Sequence, residues 1–364
     1  MTLASKTQTR HKERYSLALT GLVAAVLLFV STPSSFPALL VINIMAIVSI
    51  LYSASSVVRH ADVLAHRFGE PFGSLILSLS IVALEVSLIS ILMLSGYASE
   101  TLVRDTIFGV LMIVMTGFIG FALLIGGYKY GTQNFNSTGI KHYLVSMMPL
   151  SLLALGLPTF MGDGTLSTGQ LVVISLGCLL TYGVFLHVQT ITHRDFFIHE
   201  DEDEDDNHHG KPSTHSNARH FAMLAVHLVA VVGVTKLNTT ALEALFAVLD
   251  APPRTAGLLV AMLVLSPEGT GAFYSVLRNQ TQRAMNLFLG SVVATISLTV
   301  PVVAVIATIS GQRMLLGLST PEIFLLLTTF LVCQMSLTSG ASNAHSGSAH
   351  ILLFMIYLIL VFAG

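Results

Sequence analysis

Charge is what this sequence has least of. Asp, Glu, Lys and Arg make up 10% of its 364 residues against 53% hydrophobic ones, with a mean hydropathy of +0.79. That excludes a water-soluble domain of ordinary composition. Cysteine is scarce as well: Cys178 and Cys333 both lie in apolar runs, which argues against a disulfide framework and against a cysteine metal site. A net charge of -2 offers nothing to a nucleic acid, and no cofactor is expected. What the chain has in abundance is apolar runs of about 17 to 25 residues, each able to cross a hydrocarbon layer of about 30 Å as a helix. The reading is an all-α polytopic protein of the lipid bilayer with about 11 transmembrane helices.

The expected spans are 16–31, 37–57, 73–95, 106–126, 142–158, 169–189, 220–237, 255–276, 286–309, 321–338 and 349–363. The first follows a basic stretch and resembles a signal sequence, but lacks a small-x-small cleavage site and is read as a retained helix. With the N-terminus in the cytoplasm, 13 of the 17 Lys and Arg residues fall inside, leaving Arg104, Lys236, Arg254 and Arg313 outside. The one long hydrophilic stretch, "THRDFFIHEDEDEDDNHHGKPSTHSNAR", follows the sixth span. It divides the chain into a tail and first helix (1–36), five spans (37–190), an acidic cytoplasmic loop (191–219) and five more spans (220–364). Five is odd, so the second group enters from the opposite side, as in an inverted-topology repeat.

Of the 19 acids, seven (Glu200, Asp201, Glu202, Asp203, Glu204, Asp205 and Asp206) are in the loop. Only Glu85 and Glu268 fall well inside a span. An ionisable group at mid-bilayer costs about 2.5 to 3.5 kcal/mol on insertion scales, so it normally faces a polar cavity and has a function there. The two occupy corresponding places: Gly73, Glu85 and Gly109 in one group match Gly257, Glu268 and Gly290 in the other. A protonated glutamate bonded to a neighbouring helix is the structural alternative, and it is a poor explanation of a matched pair. Burial disfavours a charged carboxylate and an arriving cation favours it, so such a site holds either a proton or a cation.

Oxygen ligands for a cation are at hand. Ser78 lies two turns before Glu85 on the same helix face. Ser266 and Thr270 flank Glu268 in "SPEGTG", where Pro267 removes a backbone donor and frees a carbonyl. Ser291, Thr295 and Thr299 recur at i, i+4 and i+8, although each hydroxyl could equally bond back to its own helix. Carboxylate, hydroxyl and carbonyl oxygens suit sodium, potassium or calcium. His227, inside the seventh span, reads as a proton relay or, more commonly, as a packed core histidine; Gln334 and Ser336 in the tenth span are similar cases. The acidic run with His208, His209 and His215 reads as a regulatory cation-attracting loop or as a solvated linker.

At these residues the chain resembles the calcium/cation antiporter superfamily, and within it the bacterial calcium/proton and sodium-potassium/proton antiporters. "SVVRHADVLAHRFGEPFGSLILSLSIVALEVSLIS" and "LVLSPEG" resemble the two alpha-repeat regions, and "EDEDEDDNHHGKP" the acidic loop between them. The resemblance implies a bacterial inner-membrane antiporter in which Glu85 and Glu268 bind cation and proton in turn. Related calcium/proton exchangers carry Gly-Asn-x-x-Glu in each repeat. Here those Gly-Asn positions hold Ile81 and Val82, and Val264 and Leu265, which leaves monovalent cations open beside calcium. Of the Gly-Ser that follows, Gly290 and Ser291 match in full, whereas Gly109 is followed by Val110. The expectation is export of calcium, sodium or potassium against inward protons; an intramembrane enzyme with paired carboxylates, or a passive cation channel, is the alternative.

Overall fold

The computed structural model describes residues 17–29, 32–33, 35–69, 72–94, 100–162, 164–197, 215–311 and 313–363. Eleven apolar helices account for nearly all of them: α1 (Leu17–Phe29), α2 (Phe36–Phe68), α3 (Phe72–Leu94), α4 (Leu102–Tyr130), α5 (Ser137–Phe160), α6 (Thr168–Thr192), α7 (Asn217–Val248), α8 (Arg254–Leu277), α9 (Thr281–Ser310), α10 (Thr320–Leu337) and α11 (Ala344–Ala363). All but α1 are long and apolar enough to span a membrane. The protein is thus an all-α polytopic membrane protein.

Local chemistry sets the helix ends. Gly69, at φ +65°, closes α2 with its N–H on Ala65 O. Asn136 caps α5 by accepting from the N–H groups of Thr138 and Gly139, and Ser167 with Gln170 forms a capping box for α6. α6 turns Val173, Leu176 and Leu180 outward, each more than 60% exposed. Such a stripe is costly in water and at home against lipid tails.

α2 and α7, at 33 and 32 residues, run well past the apolar segments expected from the sequence. Arg59 and Arg67 therefore sit on a helix rather than in a loop. The extra turns carry polar residues paired to one another, which no count of apolar residues registers.

The chain packs as two compact units: residues 1–99 with 213–252, and 100–212 with 253–364. In the first, α2 and α7 lie antiparallel, with Asn43 bonded to Asn238 and Ala241 near one end and Arg67 to Asn217 at the other. Leu39, Ile42, Ala241 and Leu245 pack between them, Thr20 of α1 bonds Ser53 at 2.8 Å, and α3 folds back with Gly73 against Ala65 O.

In the second unit α4 is the central helix. α8 runs parallel to it: a methyl on Gly257 would lie 2.6 Å from Asp105 Cβ, and one on Gly269 would lie 2.7 Å from the Phe118 ring. α11 runs antiparallel on another face, with Tyr357 at Gly109, Phe354 at Gly117 and Gly347 against Gly120 O. Small residues let the backbones approach closely enough for dispersion to hold helices together in lipid. Strands β1 (Gln133–Asn134) and β2 (Ala341–Ser342) form a two-residue antiparallel pair.

Candidate cation and proton sites

Glu85 is fully buried, at 0% exposure, in the middle of α3. Ser80 and Ser87, on the same helix, donate to Ile76 O and Ala83 O; this occupies their protons but leaves oxygen lone pairs. Ser78 is half-buried two turns before Glu85. The interior of this unit holds further neutral oxygens. Asn43 Nδ2 donates to Leu39 O and Ala241 O, while Asn238 Nδ2 donates to Asn43 Oδ1 at 2.9 Å. Asn238 Oδ1, Thr235 Oγ1 and Ser49 Oγ are buried with no hydrogen-bond partner among the described residues. The sequence reading noted the lost Gly-Asn amides at 81–82 and 264–265 and did not see that α2 and α7 bring two other amides inside.

Glu268 is half-buried on α8, in the other unit. The helix continues through Pro267, so Leu263 O lacks its usual amide donor. Ser266 donates its hydroxyl to Met262 O, and Thr270 donates to Ser266 O at 2.8 Å. α9 and α4 both pack on α8. On α9, Ser291 and Ser297 are buried, each with a hydroxyl lacking a partner among the described residues; on α4, Thr106 is in the same condition. Ser291 was expected as a ligand, while Thr106 and Ser297 were not singled out.

Thr295 is buried and opens a π turn over Thr295–Thr299. The wider turn takes Thr299 off the straight row that a regular helix would give at i+4. α4 has a π turn at the corresponding place, Ile113–Phe118. The two follow Gly109 and Gly290 by four and five residues, and such turns recur at functional sites. His350 anchors the first of them: Nδ1 donates to Met115 O at 2.7 Å, and Nε2 meets the Ser336 hydroxyl at 2.8 Å. Ser336, read as a polar residue with an open role, thus serves His350.

Two further acids are buried. Asp105 pairs with Arg104 at 2.8 Å and accepts from Thr101, while Glu322 accepts from Ser319 and lies 3.3 Å from Arg254. The sequence reading placed Asp105 just before one span and Glu322 at the first turn of another, so neither counted as well inside the bilayer. Each has a guanidinium partner, the arrangement of a structural ion pair.

His227 is fully buried, with both ring nitrogens lacking a hydrogen-bond partner among the described residues. The acidic run Glu200 to Asp206, with His208 and His209, lies outside the described residues. Among the described residues no three His, Cys, Asp or Glu side chains form a metal cluster. The chemistry on offer is one carboxylate with hydroxyl, amide and carbonyl oxygens, which suits a hard cation in passage.

A sequence model of the family described as sodium/calcium exchanger protein matches residues 38–191 and 219–363. The chain is 50% identical over 359 residues, 98% of each partner, to the sodium-potassium/proton antiporter ChaA of Escherichia coli strain K12. It is 24% identical over 295 residues, 76% of this chain and 77% of the other, to the Ca2+/H+ antiporter of Aphanothece halophytica. Among solved structures, native YfkE matches with a TM-score of 0.75 at 18% identity, over 96% of this chain and 100% of that one. The H+/Ca2+ exchanger CAX matches with 0.68 at 18% identity, over 98% and 89%. These two structures share the fold.

Proposed function

Because the chain belongs to the sodium/calcium exchanger protein family and is a cation/proton antiporter rather than an enzyme, we propose that it exports sodium, potassium or calcium and takes up protons through Glu85 and Glu268. The observation that carries this reading is a fully buried carboxylate, Glu85, on an apolar helix of a unit whose interior also holds buried neutral oxygens. Deep burial disfavours the charged form of a carboxylate and an arriving cation favours it, so the group takes either a proton or a cation, and the two exclude each other. Mutual exclusion at a site that opens to each side in turn yields coupled exchange without a separate coupling device. The five-plus-five arrangement supplies the two openings, one for each direction of entry.

On this reading Ser78, Ser266, Ser291 and Thr295 lend oxygen ligands, and the protein lies in the bacterial inner membrane with its N-terminus and acidic loop in the cytoplasm. The sodium-potassium/proton name of the half-identical relative favours monovalent ions, and the calcium/proton name of the more distant one adds calcium.

The test is purified protein in proteoliposomes holding a trapped pH dye, challenged separately with sodium, potassium and calcium. Proton movement driven by at least one of the three, lost when the pH gradient is collapsed, is the expected result. Cation uptake with no proton movement would contradict it.

A further inference from the structure

α2 and α7 meet at a second polar level, far from Asn43 and Asn238. His60 of α2 and His220 and His227 of α7 are 5%, 4% and 0% exposed. His60 Nδ1 and His220 Nδ1 stand 2.9 Å apart, and the His227 ring stacks on His60 with centroids 6.1 Å apart. His215 lies beside His220, and its Nδ1 is 3.0 Å from Arg219 Nη1.

Two ring nitrogens at this distance need one proton between them, so one imidazole donates and the other accepts. A further proton on the outer nitrogen of the donor ring leaves that bond in place. A proton on the accepting Nδ1 does not: two N–H groups then face each other and two like charges adjoin. Arg59 on α2 and Arg219 on α7 add positive charge to the same neighbourhood. Asp62 and His66, one turn on, pair with each other at the exposed surface. Among the described residues of the other helices in this unit, α3 carries a single ionisable residue, Glu85, and α1 carries none.

We infer that His60 and His220 form a proton-binding site that holds α2 against α7 while at least one facing nitrogen is bare, and releases it when both are protonated. The site lies where α2 ends and α7 begins, on the face of the acidic loop. It goes beyond the proposed antiport and rests on it only for its physiological meaning: an exchanger that brings protons to this face is slowed when the face turns acid.

The direct test places nitroxides at Phe68→Cys and Phe221→Cys, whose native rings are 6.2 Å apart on α2 and α7. Cys178 and Cys333 are replaced by Ala in the full-length protein in liposomes. Dipolar broadening of the spectrum at pH 8 falls by at least half at about pH 4, where both rings take up protons, and persists at that pH once His220→Gln is added. Broadening that is the same at both pH values, or lost equally in His220→Gln, overturns the inference. This readout needs no transport, so it fails separately from the antiport reading. In the transport assay His220→Gln keeps its pH 8 affinity for cation and retains at least about threefold more of its pH 8 rate than the unmodified protein as the pH on this face is lowered towards 4. An unchanged acid limb overturns the regulatory role; should His220→Gln not fold, His60→Gln takes its place in both arms.

Discussion

At the scale of single residues, hydroxyls that look alike in the sequence differ in what they can give a cation. Ser266 donates to Met262 O at a partly exposed position, where water can stand in for its lone pairs, whereas Ser291 is buried and its hydroxyl has no partner among the described residues. Ser291→Ala is therefore expected to raise the cation concentration for half-maximal exchange by about three- to tenfold, as loss of one neutral ligand does, and Ser266→Ala by less than about twofold. Titration of cation-driven proton movement checks both. Glu322→Ala removes the partner of Arg254 and is expected to cost about 1 to 3 kcal/mol of stability, below the full buried-pair penalty because the guanidinium is partly solvated. Thermal unfolding in detergent reads it. Glu85 and Glu268 were legible in the sequence because each interrupts an apolar run. Asp105 and Glu322 were not, since an acid near a helix start beside Arg104 or Ser319 reads as interfacial. Asn43 and Asn238 were invisible for another reason: 195 positions separate them, and only the packing of α2 on α7 joins them.

At the scale of elements, the positions of the helices followed from lipid thickness and apolar run length, and their ends did not. α2 extends to Phe68, eleven residues past its expected end at residue 57, because tertiary pairs such as Arg67 with Asn217 support turns outside the apolar segment. The π turns at Ile113–Phe118 and Thr295–Thr299 left no mark in composition, because they depend on what each carbonyl meets, as Met115 O meets His350. Glycine contacts give the prediction proper to this scale. Gly257→Val drives branched carbons into Asp105 and is expected to cost about 1 to 3 kcal/mol or more through overpacking. Gly271→Ala meets nothing within 4 Å and is expected to be neutral or slightly stabilising. Melting temperatures of the two variants in detergent decide the matter.

At the scale of the whole molecule, sequence order and packing divide the chain differently. The sequence groups residues 37–190 and 220–364 as repeats, while the compact units join α2 and α3 with α7 and gather the remaining spanning helices. Chain order follows the spacing of the apolar runs; contacts record which faces bury each other, and α2 finds its largest partner in α7. Orientation is a prediction of charge: alkaline phosphatase fused after residue 210 should be inactive, and fused after 313 or 364 active, if the N-terminus is cytoplasmic. The reverse pattern would invert the assignment. The most direct measurement of the central claim is cation-driven proton release in everted membrane vesicles carrying Glu85→Gln or Glu268→Gln at normal membrane levels. Each variant is expected to lose release with sodium, potassium and calcium alike; full release by both would contradict the role given to the two glutamates.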